Sequence, residues 1–144
     1  MSRLRFLYLS LFLVFLVFIC GFVHEFGHVL VLLFLGRRFE LVLSWFIFYV
    51  EPFGCSYWEC VAVASGGLVT TMLFLAALYM LVRDDVFRWA LLGFSCGVTA
   101  YCLCEVALIA MRLSVIDLTP LISVLSAVSV ATSMIVTRKL FLKA

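Results

Sequence analysis

The sequence predicts an all-α polytopic membrane protein, with about four transmembrane helices and a membrane-associated β-hairpin after the first. Apolar residues make up 67% of the chain and charged residues 12%, whereas a soluble domain is about half apolar. Mean hydropathy is +1.31. The few charges gather at the ends of long apolar runs, where membrane insertion favours them. The 144 residues make one integral-membrane domain, 1–144. A net charge of +2, with no Lys/Arg cluster among surface aromatics, excludes nucleic acid as a partner and leaves the lipid bilayer as the surroundings.

Arg3 and Arg5 precede an apolar run from Phe6 to Leu35. It begins like a signal peptide but has no A-x-A-like cleavage site, so it is expected to stay as a helix. At about 30 residues it exceeds the roughly 20 needed to span, and it must tilt, bend near Gly21 or protrude. Gly36, with Arg37 and Arg38, ends it.

Phe39 to Val63 changes character. Phe39 to Val50 is β-branched and aromatic, and Glu51-Pro52-Phe53-Gly54 looks like a turn leading into Cys55 to Val63. The pattern predicts a hairpin packed against the helices within the membrane. Further spans are expected over Val61–Val82, Phe87–Met111 and Leu121–Thr137, the last after a Pro-bearing break that contains Asp117. Of the six cysteines, Cys55 and Cys60 lie in a loop where they could pair, and the other four sit in apolar segments as small hydrophobes.

Both histidines of the chain lie in His24-Glu25-Phe26-Gly27-His28, inside the first apolar run. The H-E-x-x-H spacing puts two imidazoles one turn apart on one helix face, where both can hold one zinc ion. Glu25 lies between them as the base for an activated water. Three ionisable groups are costly in hydrocarbon without such a partner. A third protein ligand is needed, and the sequence offers Asp117 at the Pro-bearing break or Glu105 in mid-helix.

The motif with its Phe-Gly interior, the hairpin after it and an aspartate beyond a Pro-containing break resemble the site-2 protease family of intramembrane zinc metalloproteases. That resemblance implies His24, His28 and Asp117 as ligands of one zinc ion, with Asp117 preferred over Glu105. It implies Glu25 as general base, a zinc metalloendopeptidase activity and a transmembrane protein as substrate. Gly67 stands where the family has Pro, Thr70 where it has Asn, and Leu118 where Gly is usual. The resemblance then implies that an oxyanion-stabilising amide at position 70 is missing or replaced by a hydroxyl. The alternative is a non-catalytic zinc-binding scaffold related to the family.

With four spans, Arg3, Arg5, Arg83, Arg88, Arg138, Lys139 and Lys143 share one side, while Arg37, Arg38 and Arg112 share the other. The positive-inside rule then places both termini in the cytoplasm of a multi-pass membrane protein. The family resemblance implies the opposite orientation.

Overall fold

The computed structural model describes residues 3–44 and 47–112, together with Ile135. In chain order these form α1 (Arg3–Phe34), β1 (Phe39–Ser44), β2 (Ile47–Pro52), α2 (Tyr57–Leu81) and α3 (Asp85–Ala110). All three helices are long and apolar enough to cross a membrane. The expected fourth helix, Leu121–Thr137, and Asp117 lie outside the described residues.

Helix α1 runs unbroken through Gly21 for 32 residues. At 1.5 Å per residue it is about 48 Å long against a hydrocarbon core of about 30 Å. Its inward face carries Leu9, Leu13, Leu16, Cys20, His24, His28 and Leu32, all buried and three or four residues apart. Leu7, Leu11, Phe15, Phe18, Phe22, Phe26 and Leu33 are exposed on the remaining surface, as expected of side chains meeting lipid. The motif histidines therefore occupy positions that would otherwise hold core leucines. Gly36 adopts φ +64°, its amide donates to the Leu33 carbonyl at 3.1 Å and the Arg37 amide donates to Leu32 at 2.9 Å. That pair of bonds is a Schellman ending, for which a left-handed glycine is the favoured residue.

The hairpin is shorter than expected and folds at a different place. Its strands pair antiparallel from Phe39 opposite Pro52 to Ser44 opposite Ile47, so the chain reverses at residues 45–46 rather than at Glu51–Gly54. Pro52 closes β2, where the missing amide costs no central ladder bond. Residues 57–63, expected in the hairpin, belong to α2. Ser56 is the cap of that helix, and the Glu59 carboxylate reaches back to accept the Ser56 amide at 2.7 Å. This captures the first turn of α2 four residues before the expected start at Val61.

Helix α2 packs along both α1 and α3. In lipid, apolar side chains gain little by leaving apolar surroundings, so helix association depends on close packing and polar contacts. Gly27 and Gly66 supply the closest approach of α1 and α2, since a Cβ on Gly66 would stand 2.7 Å from the Gly27 carbonyl oxygen and 2.5 Å from Val31 Cγ2. Away from that crossing, Leu9, Leu13, Leu16, Leu75, Leu91 and Phe94 form a core shared by the three helices. Charged pairs tie both ends. Arg37 donates from Nε and Nη2 to the Glu59 carboxylate at 2.8–3.0 Å, and Arg5 bonds Asp84, which also accepts the Val86 and Phe87 amides as the cap of α3. Arg5 and Asp84 thus lie at one end of the bundle, Arg37, Glu59 and Arg112 at the other.

Candidate metal centre

His24 and His28 point inward from α1 toward α2 and α3. His28 Nδ1 lies 2.7 Å from the Val63 carbonyl oxygen. A carbonyl only accepts, so that nitrogen carries the proton and Nε2 presents a lone pair. The Thr71 hydroxyl donates to the Gly67 carbonyl at 2.8 Å, which leaves its oxygen to accept from His24 Nδ1 in a longer contact of 3.5 Å. The Cys102 thiol lies at the same distance from Nδ1. His24 Nε2 lies 2.8 Å from the Glu105 carboxylate, which also only accepts, so either ring nitrogen of His24 can carry the proton. Fixing the outer nitrogen so that the inner one is free is the usual arrangement around metal-binding histidines.

The two Nε2 atoms face each other at 3.0 Å. The Glu105 carboxylate from α3 meets them at 2.8 Å from His24 and 3.5 Å from His28. Two imidazole nitrogens and a carboxylate thus converge, and with both outer nitrogens protonated they offer a cation two lone pairs and a negative charge. Two imidazoles and one carboxylate are a donor set that zinc accepts, and tetrahedral ligation at about 2.0–2.1 Å sets ligand atoms roughly 3.3 Å apart. The observed spacings bracket that value. The Glu25 carboxylate lies with both imidazoles, the ligand atoms of the three residues all within 4.8 Å of one another.

Glu25 is aimed by the hairpin. The Val50 amide of β2 donates to its Oε2 at 2.9 Å, and Oε1 accepts no hydrogen bond from the described residues. The centre lies about 8–9 Å below the Arg37 end of the bundle, by residue counts from His28 to Phe34, from Tyr57 to Val63 and from Glu105 to Ala110. A cleft of about 530 Å³ opens from there, with His28 at its inner end and Tyr57 and Arg112 among its lining residues. The cleft offers a route for water toward a centre that sits among three helices long and apolar enough to cross a membrane.

The sequence located His24, Glu25 and His28 and named Glu105 as the alternative acid to Asp117; among the described residues Glu105 lies 2.8 Å and 3.5 Å from the two imidazoles, and Asp117 lies outside them. Thr70, expected to offer its hydroxyl in place of an amide, has it turned to main-chain carbonyls of Gly66, Gly67 and Val23 at 2.9–3.2 Å. It joins α2 to α1 instead of facing the centre. The outer partners Val63, Thr71 and Val50 had no sequence signal, because two act through the backbone and one is an ordinary helix threonine. Gly67 did leave a trace as part of a small-residue run, and a Cβ there would stand 2.6 Å from Cε1 of both imidazoles. Cys55 and Cys60 are free thiols, with Cys60 Sγ 3.9 Å from the Cys55 carbonyl.

No protein-family profile, curated protein or solved structure matches this chain.

Proposed function

We propose that the protein is an intramembrane zinc metalloprotease of site-2 protease type, with His24, His28 and Glu105 as metal ligands and Glu25 as general base. The observation that carries this is the convergence of two imidazole nitrogens and one carboxylate at 2.8–3.5 Å, beside a second carboxylate, Glu25, whose Oε2 accepts the Val50 amide. When bound, zinc supplies the Lewis acidity that makes water a nucleophile near neutral pH and polarises a peptide carbonyl. Glu25 takes the proton from that water at Oε1, while the Val50 amide holds Oε2 and fixes the carboxylate plane. The same group returns the proton to the leaving amine.

A transmembrane substrate hides its amides in helical hydrogen bonds and must unwind before attack. The outer edge of β2 lies beside Glu25 and has no strand partner among the described residues. An extended segment can therefore add to that edge and be held next to the base. The cleft that reaches His28 admits water and the unwound segment.

Glu25→Gln tests the proposal. The variant should retain zinc, measured on purified protein, and lose cleavage of a transmembrane reporter substrate by at least 100-fold, consistent with removal of a general base. The second reading, a zinc-stabilised scaffold, draws on Thr70, whose hydroxyl leaves the site without that donor for an oxyanion. It predicts that Glu25→Gln is silent.

A further inference from the structure

We propose that the cleft leading to His28 binds the carboxylate of an acidic residue in an otherwise apolar peptide, and that Arg112 at its mouth is the residue that selects it. The proposal rests on the peptidase reading for its biological occupant, but the binding it asserts is measurable without any cleavage.

The lining divides by chemistry. His28 marks the inner end, Val50, Val63, Ala64 and Ile109 form apolar walls, and among the described residues Arg112 is the one permanent cation. Among the described residues no acidic side chain lines the cleft and none pairs with Arg112. This contrasts with Arg5 and Arg37, each bonded to a carboxylate.

Arg112 is also held in place. Its guanidinium carbon stands 5.0 Å above the Tyr57 ring centroid, and the Tyr57 hydroxyl donates to the Ala110 carbonyl at 2.6 Å at the end of α3. Stacking uses the face of the guanidinium and leaves its in-plane N–H donors available for a planar, two-oxygen acceptor. Its backbone has φ +58°, the left-handed region that a non-glycine residue rarely enters. Its amide donates to Ile109 at 3.0 Å in that conformation. A fixed cation with unsatisfied donors beside an apolar wall complements an apolar segment carrying one carboxylate.

The test uses the full-length Glu25→Gln protein in nanodiscs of zwitterionic lipid, so that no probe is consumed. Two fluorescein-labelled, C-terminally amidated apolar peptides, identical except for one Asp or Asn, are titrated by anisotropy with zinc and again with chelator. The Asp peptide should bind at least tenfold more tightly than the Asn peptide in both conditions. Added Arg112→Gln should remove the difference, and added Arg112→Glu should transfer the preference to a Lys peptide, a reversal that damage to folding cannot produce.

Equal affinity for Asp and Asn peptides would overturn the proposal, as would an Asp preference that Arg112→Glu leaves intact. A preference lost on chelation would place the carboxylate on the metal instead. Arg112-dependent binding of phosphatidylglycerol vesicles without any Asp preference would assign the cation to lipid, and also overturn it. If zinc is absent and wild type cleaves nothing, yet the Asp preference follows Arg112, the peptidase reading fails and the carboxylate site stands.

Discussion

Gly67→Ala should strip the metal while leaving the bundle assembled. The added Cβ would lie 2.6 Å from Cε1 of His24, 2.6 Å from Cε1 of His28 and 2.8 Å from His24 Nδ1, whereas ordinary contact begins at 3.4 Å. Both rings must therefore retreat by about 0.8 Å, against a tolerance of roughly 0.2 Å in metal–ligand distance. Overpacking of this kind costs about 1–3 kcal/mol, which corresponds to roughly 5- to 150-fold in zinc affinity if the metal-bound ring positions absorb it. Alanine favours a helix over glycine by about 1 kcal/mol, so helix content should not fall. Competition with a chromophoric chelator measures the affinity, and circular dichroism with size-exclusion chromatography checks assembly. Gly21→Ala is the control, since nothing lies within 4 Å of its added Cβ. A Gly67→Ala protein that binds zinc as tightly as wild type would refute the placement of the rings against α2. The same contact gives a reason for glycine at this position, because proline also carries a Cβ.

Glu105→Ala should abolish stoichiometric zinc, and Asp117→Ala should retain it, by metal analysis of purified protein; the reverse outcome would restore Asp117 as the third ligand. Chelation of wild type should lower its thermal transition in detergent, because a ligand bound only by the folded state stabilises it, and chelation of Glu105→Ala should change nothing further. At the other end of the bundle, burial raises the Asp84 carboxyl, but the Phe87 amide, Arg5 and the Val86 amide outweigh it and hold the group below its ordinary range. The stabilisation is therefore present above the unfolded value near 3.9 and is lost as pH falls through the lower folded value. The gap in thermal transition between wild type and Asp84→Asn should accordingly narrow on going from pH 7 toward pH 2. Asp84→Ala should cost about 1 kcal/mol at pH 7 through loss of the α3 cap.

What could be read in one dimension was whatever repeats along a helix. The inward stripe of α1 includes His24 and His28 at the same spacing as Leu9, Leu13, Leu16 and Cys20, so their position and shared face followed from the sequence. The hairpin was legible in kind but not in register. Its reversal falls between Ser44 and Ile47, where the sequence carries no turn signature, whereas Pro52 and Gly54 have that signature and instead end a strand and make a left-handed link at φ +65°. Ser56 and Glu59 did carry the pattern of a helix start, masked by the apolar run around them. That Glu105 meets the imidazoles was not decidable from the chain, because it lies 81 residues from His24. Only the antiparallel return of α3 brings it to the rings.

The packing and the chemistry impose the same requirement on this centre. Neutral imidazoles with Glu25 and Glu105 ionised would leave two negative charges inside a membrane-spanning bundle, an arrangement hydrocarbon strongly disfavours. A divalent cation between His24, His28 and Glu105 would cancel that charge. Glu25 lies beside them, tethered by one oxygen to a hairpin amide. A purely structural site would gain from drawing that carboxylate in as a fourth ligand, because structural zinc is normally closed by four protein groups. One Glu25 oxygen held by Val50 while a cleft opens at His28 is the arrangement the hydrolytic proposal requires, and the scaffold reading gives it no use.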